Sequence, residues 1–137
     1  MRRKLVLLVV MISAIAAVVI YREFLSTGPG MKSREVAHEL TATELYDAFD
    51  MDEAAAEQKY LGQVLAIEGK VSSITKDESG NYAISLETSG FGLVKCTLEK
   101  GYGIGSLTEQ YRGKLRLKGE CLGFLLDVQI GEAIILP

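Results

Sequence analysis

Residues 65–71 are Leu-Ala-Ile-Glu-Gly-Lys-Val and residues 115–121 are Leu-Arg-Leu-Lys-Gly-Glu-Cys, so the same pattern occurs twice in the chain. In both stretches apolar side chains alternate with polar or small ones, which is typical of a half-buried strand. Gly69 and Gly119 occupy the same place in the pattern. A glycine inside a strand is destabilising unless the strand bends there or another backbone approaches closely. Two such strands predict a small closed barrel.

Three further strands complete the predicted barrel. Apolar residues alternate from Tyr82 to Leu86 and from Val94 to Leu98, and a last strand runs from about residue 126 to residue 136, with a possible bulge at Gly131. We expect Tyr82, Ile84 and Leu86 to point inward. The glycine-rich segment 101–105 lacks the motif of a phosphate-binding loop and predicts a flexible connection. Residues 106–111 are a candidate short helix.

Two short helices are predicted before the barrel. Thr41 or Thr43 is a suitable N-cap for the first helix, and Asp50 for the second, which would run from Met51 to Tyr60. Gly62 supplies a stop signal. The acidic residues of this region are expected on a solvated helix face.

The N-terminal segment is apolar. Leu5–Tyr21 follows Arg2-Arg3-Lys4 and would span about 25 Å as a helix, which a bilayer tolerates with local thinning. The basic residues favour a cytoplasmic N-terminus, with the rest of the chain outside. A cleaved signal peptide is the alternative, because Ser13-Ala14-Ile15-Ala16 offers a small-residue site. The apolar run continues beyond that site, so we favour an uncleaved anchor.

These patterns give the domain organisation. Residues 1–25 are the predicted anchor and residues 26–40 a linker that begins with turn-forming glycines and a proline. Residues 41–137 form the domain, with leading helices at 41–62 and a barrel at 63–137. The fold class is therefore all-β, a five-stranded barrel with a helical N-terminal extension and a transmembrane helix.

The chain also resembles the tRNA_anti-like family of bacterial OB-fold domains, over about residues 41–136. The residues that carry the resemblance are Thr43-Glu44-Leu45 with Phe49, Ala55 to Gly62, Gly69-x-Val71, Val94-x-Cys96, and Leu117-x-Gly119-x-Cys121-x-Gly123 with Asp127-Val128. The resemblance implies a five-stranded OB barrel. It implies no activity and no set of functional residues.

The sequence offers no basis for catalysis or metal binding. His38 is the single histidine, and neither a metal site nor a catalytic set can be built around it. We therefore expect no enzyme activity, no metal and no cofactor.

Candidate binding residues are few. Lys95 is the one basic side chain in the outward phase of the second and third strands, and Phe91 and Tyr102 are loop rings that could reach the same face. Cys96 and Cys121 both lie in the inward phase. They could form a disulfide outside the cytoplasm or remain buried thiols, and we favour thiols.

The net charge of the chain is −3, and its basic excess is confined to the extreme N-terminus. The remainder is acidic, which disfavours nucleic acid as a partner. The sequence therefore predicts a non-enzymatic binding or assembly module, anchored in the inner (cytoplasmic) membrane by Leu5–Tyr21. Its C-terminal domain would lie outside the cytoplasm, with a protein or saccharide partner. A nucleic-acid-binding OB domain is the alternative.

Overall fold

The computed structural model describes residues 1–26 and 30–137, and the chain divides into two units, Met1–Gly30 and Met31–Pro137. The first unit is helix α1, Arg2–Ser26. Its window Arg2–Arg22 is 21 residues long with a mean hydropathy of 2.6, so the helix is long and apolar enough to span a membrane. Thr27–Pro29, in the predicted linker, lie outside the described residues.

The second unit is a closed five-stranded barrel preceded by short elements. In chain order these are a 3-10 turn (Met31–Ser33), β1 (His38–Thr41), α2 (Ala42–Met51), α3 (Glu53–Tyr60), β2 (Val64–Lys76), β3 (Tyr82–Leu86), β4 (Val94–Leu98), β5 (Lys114–Leu125) and β6 (Asp127–Leu136). The barrel order is β2-β3-β4-β6-β5, closed by pairing of β5 with β2. Only the β4–β6 pair of the barrel is parallel. The predicted OB-fold-like barrel is confirmed.

The two glycine-containing strands are neighbours. β2 and β5 pair antiparallel, so that Gly69 lies opposite Leu115 and Gly119 lies opposite Leu65. A Cβ atom at Gly119 would lie 2.4 Å from Cγ2 of Ile130, which is closer than two carbon atoms can approach. A Cβ at Gly69 would lie 3.0 Å from the Cβ of Ala42 in α2. Both glycines therefore permit close approach of a neighbouring element.

The predicted inward phase of β3 and β4 is confirmed. Ile84, Leu86, Val94 and Cys96 are fully buried, and Leu98 is nearly so. Tyr82, with the same phase, lies half-buried at the mouth of the barrel, and the ammonium of Lys76 is 5.2 Å from its ring centroid. The ring of Tyr82 is therefore not part of the outer face of the barrel.

Helix capping decides where α2 and α3 begin. Thr41 is the N-cap of α2 and forms a reciprocal capping box with Glu44. The predicted N-cap of the second helix was wrong, because α2 continues past Asp50 and Asp52 caps α3, accepting from the backbone N–H of Ala55 at 3.1 Å. The backbone N–H of Asp52 also bonds the Ala48 carbonyl, so one residue ends α2 and begins α3.

Residues 31–40, assigned to a linker from sequence, belong to the folded unit. Met31 is fully buried, and its backbone N–H donates to the carboxylate of Glu99. Arg34 forms an ion pair with Glu120 at 2.9 Å. β1 then pairs in parallel with β2. Such short elements carry no periodic signal, and only their contacts with the barrel determine them.

The predicted helix at residues 106–111 was wrong. The connection between β4 and β5 holds separate turns, in which Leu107 N–H bonds the carbonyl of Ile104 and Tyr111 N–H bonds that of Thr108. Six residues are too few to offset the cost of starting a helix.

The β5–β6 hairpin turns at Leu126, which has a φ of 63°, so β6 starts one residue later than predicted. The expected bulge is present beside Gly131, where Glu132 has a φ of 49° and the β5–β6 register shifts by one residue.

Candidate functional site

The three predicted binding residues do not form one site. Phe91 lies in the β3–β4 loop and Lys95 is exposed in the middle of β4, whereas Tyr102 lies in the β4–β5 loop. Phe91 and Tyr102 therefore flank opposite ends of a strand that is about 16 Å long. The Tyr102 ring is half-buried and its hydroxyl donates to the carbonyl of Ile135 at 3.4 Å. Tyr102 thus packs the loop onto the barrel.

The outer face of β2, β3 and β4 consists of short side chains. Two cross-strand rows cross it, one with Ser73, Ser85 and Lys95 and the other with Thr75, Ala83 and Thr97. These six positions hold one basic residue and no aromatic ring. Single-stranded nucleic acid is usually held by stacking on aromatic rings along a positive groove. This face offers neither.

A polar groove of about 410 Å³ lies beside the N-terminal end of α2. Lys70 and Lys114 line it, but so do Glu68 and Glu87, and Lys70 pairs with Glu87 at 3.6 Å. The Thr41 hydroxyl at its edge is already used in the capping box. Because its charges are balanced, the groove has no preference for an anion.

A second groove of about 420 Å³ lies along the β4–β5 loop. It is lined by glycines and by half-buried apolar side chains, among them Ile104, Leu115 and Ile135. No charged side chain lines this groove.

The two cysteines are free and buried. Cys96 of β4 and Cys121 of β5 both pair with Ile130 of the intervening strand β6. Two strand spacings separate their Cα atoms by about 9.6 Å, beyond the roughly 7 Å that a disulfide can bridge. In this structure Cys96 and Cys121 are separate buried thiols. Burial raises the pKa of the Cys96 thiol to about 12, and burial also raises the pKa of Cys121.

His38 is half-buried and packs edge-on against Tyr60, with ring centroids 5.2 Å apart. Among residues 1–26 and 30–137, no group of three or more metal-ligating side chains is found.

Apart from Met51 at the end of α2, which is 85% exposed, the most exposed apolar side chains of the barrel unit lie on two loops at one end. Phe91 from the β3–β4 loop is fully exposed, and Leu125 and Leu126 of the β5–β6 hairpin are 80% and 85% exposed. The two loops touch, because the Leu93 N–H donates to the carboxylate of Asp127 at 2.8 Å. We call Phe91, Leu125 and Leu126 the apolar tip. Its area is on the order of 500 Å², as large as patches that are often functional.

The loop that carries Phe91 packs against the ring of Tyr46 in α2. Gly90 and Gly92 lie flat against the ring of Tyr46, where a Cβ at either position would come within 2.4 Å of a ring carbon. The Tyr46 hydroxyl accepts from the Gly92 N–H at 3.1 Å. Phe91, between the two glycines, therefore points into solvent from an ordered loop.

Sequence reasoning identified Phe91 but missed the two leucines of the apolar tip. They directly follow Phe124 in an apolar run of three, and the turn at Leu126 has neither Gly nor Asn to mark it. A usable signal was the Gly-Phe-Gly sequence at residues 90–92, which presents a ring between two residues that cannot pack it.

Comparison with known proteins gives a family and a fold. The tRNA_anti-like family model matches residues 1–131, a range that includes α1. A crystal structure of a Klebsiella pneumoniae lipoprotein, for which nucleic-acid binding has been suggested, superposes with a TM-score of 0.55 at 13% identity. The alignment covers 80% of this chain and 100% of that one, and it shows a shared fold alone. Among curated proteins, none matches this sequence.

Proposed function

The chain belongs to the tRNA_anti-like family, and from that premise we propose that it is a non-enzymatic, membrane-anchored OB-fold module that binds another protein. The observation that carries the proposal is the apolar tip, formed by Phe91, Leu125 and Leu126 on ordered loops. Soluble domains seldom expose large apolar side chains together unless a partner covers them.

The N-terminal helix supports the membrane part of the proposal. Every side chain from Met1 to Arg22 is exposed within its own unit, and the helix has the length and hydropathy of a span. We propose that it stays uncleaved in the inner (cytoplasmic) membrane. The Arg2-Arg3-Lys4 cluster favours the cytoplasmic side, so the barrel would lie outside.

The absence of enzyme activity is likewise a proposal. The pKa values of both thiols are raised by burial, which makes them poor nucleophiles. The half-buried His38 faces Tyr60, an aromatic side chain that cannot activate it as a catalytic base.

A protein suits the apolar tip better than a saccharide does. Sugar hydroxyls need hydrogen-bonding partners when they are buried, and the side chains of Phe91, Leu125 and Leu126 supply none. The apolar surface of a second protein has no hydrogen bonds to lose when it is buried against these side chains.

The alternative, nucleic-acid binding, is raised by the suggestion made for the Klebsiella lipoprotein. The outer face of β2–β4 argues against it, since Lys95 is the single cation among its six cross-strand positions. Counterion release from phosphates, which dominates non-specific affinity, would be small there.

Photo-cross-linking in intact cells tests the proposed function. A benzophenone amino acid is placed at Phe91, at Lys95 on the outer face, or at Glu78 in the β2–β3 turn as a control, in the full-length chain. We expect adducts from position 91 that nuclease does not shift and in which mass spectrometry finds peptides of a second protein. Nuclease-sensitive adducts from position 95, or no adduct from position 91, would contradict the proposal.

A further inference from the structure

The segments that surround the apolar tip carry acidic side chains and no basic ones. The tip is built from three neighbouring segments, residues 87–93, 122–128 and 45–51, and these contain no lysine, arginine or histidine. Their charged residues are Glu87, Asp127, Asp47 and Asp50. The carboxylate of Asp47 accepts from the Ser89 hydroxyl at 3.3 Å, which places α2 directly beside the Phe91 loop. Asp50 follows three residues later on α2 and is exposed.

Three of these carboxylates, those of Asp47, Asp50 and Asp127, have no ion-pair partner among the described side chains. The ion pairs of the barrel unit are Arg34–Glu120, Lys70–Glu87 and Arg116–Glu39, so Glu87 is the one carboxylate of the four that is paired. Asp127 uses one oxygen to fix the Leu93 N–H. The negative charge beside the apolar tip is therefore available to a partner.

The backbone also indicates that the apolar tip has a function beyond folding. Leu126 has a φ of 63°, in the left-handed region that Gly or Asn adopts far more readily, and its side chain is 85% exposed. A leucine there neither fills the core nor eases the turn. Strain of this kind, kept at an exposed position, is typical of recognition sites.

We propose that the apolar tip and its acidic border bind a basic amphipathic segment of another protein, whose apolar side chains pack on Phe91, Leu125 and Leu126 and whose Lys or Arg residues lie beside Asp50 and Asp47. This inference rests on the proposed function and names the chemistry of its partner. Apolar anchors surrounded by complementary charge are the usual anatomy of such interfaces. A membrane surface fits less well, since anionic lipids repel the acidic border.

Peptide binding to the full-length chain in zwitterionic nanodiscs tests the proposal. The probe is a fluorescent Leu/Lys amphipathic helical peptide, and its control is the same peptide with Glu in place of Lys. We expect the basic peptide to bind and its affinity to fall as salt is added, because charge pairs are screened. Stronger binding of the acidic peptide, or no binding of either, would overturn the proposal.

Variants locate the binding site. Leu126→Asn suits the left-handed turn and Phe91→Ser removes a side chain that packs against nothing, so both should leave the melting temperature unchanged or raised. Each should weaken peptide binding tenfold or more, as expected for an interface anchor. Phe91→Leu should restore most of the affinity. Equal affinity of Leu126→Asn and wild type would refute the assignment.

Charge variants test the acidic border. Asp50→Lys should weaken the basic peptide at least fivefold, whereas Glu78→Lys, at the far end of β3, should have no effect. A benzophenone at position 91 that labels nanodisc lipid, or a second copy of this chain, instead of the peptide would also overturn the proposal. Adducts with a second protein in cells at position 95 but not at position 91 would leave protein binding standing and refute the apolar tip as its site.

Discussion

Among the glycines within the barrel strands, Gly119 is the one with the least room for a side chain. The Cβ of an alanine there would lie 2.4 Å from Cγ2 of Ile130, 3.0 Å from the carbonyl oxygen of Gly131 and 3.2 Å from the Cβ of Ala133. A normal carbon–carbon contact is about 3.5–4.0 Å, so β6 must move by more than about 1 Å. Overpacking of this kind costs about 1–3 kcal/mol, while restricting the unfolded chain returns roughly 0.5–1 kcal/mol.

We therefore expect Gly119→Ala to lower the free energy of unfolding by about 1–2 kcal/mol, and Gly119→Val by more. For a domain of this size each kcal/mol lowers the melting temperature by about 4–8 °C. Thermal unfolding of the 31–137 fragment measures the effect. Gly69→Ala, whose Cβ would meet Ala42 at 3.0 Å, should cost less, about 1 kcal/mol.

Gly103→Ala is the matched control, because a Cβ there would have Gly105 N at 3.9 Å as its nearest neighbour. It should melt like the wild type. If Gly119→Ala also melts like the wild type, close approach is not the reason for that glycine, and the account of how β5 packs against β6 is wrong.

Other outcomes follow from the same structure. The full-length chain should stay with membranes through carbonate extraction, because α1 is held by apolar contact, and recovery of a soluble form beginning near Ala17 would mean that the segment is cleaved. Thr41→Ala should lower the free energy of unfolding by about 1 kcal/mol by removing the cap of α2, which denaturant unfolding can measure. Burial raises the pKa of Cys96 from 9.0 to about 12, so the unfolded chain ionises first and stability should fall as pH rises from about 9 towards 12. Unfolding at pH 8 and pH 10, compared with Cys96→Ala, tests this, and an equal pH dependence of both proteins would contradict it.

The barrel was predictable because its strands carry alternating residues on one buried face. The inward phase from Ile84 to Leu98 follows from that alternation alone. The close approach at Gly69 and Gly119 follows from finding a glycine in the middle of each strand. β1 could not be found in this way. It is four residues long, and its pairing depends on β2 being already in place.

The candidate site was less predictable than the fold. The sequence suggested that Phe91, Lys95 and Tyr102 serve one face, but only the structure shows that β4 separates the two rings. Leu126 was predicted to begin the last strand and Leu125 was assigned to no element, since a periodic pattern does not reveal where a hairpin turns without Gly or Asn. Which apolar residues remain uncovered depends on tertiary packing, and a single sequence does not encode that in any local pattern.

The claim that this barrel binds protein and not nucleic acid is tested most directly by fluorescence anisotropy. Mixed-sequence single-stranded DNA and RNA are titrated with the 31–137 fragment at about 150 mM salt, where the electrostatic term is at its physiological strength. With Lys95 as the single cation among the six cross-strand positions of the outer face, we expect no binding tighter than about millimolar. Low-micromolar binding that weakens steeply with added salt would contradict the account.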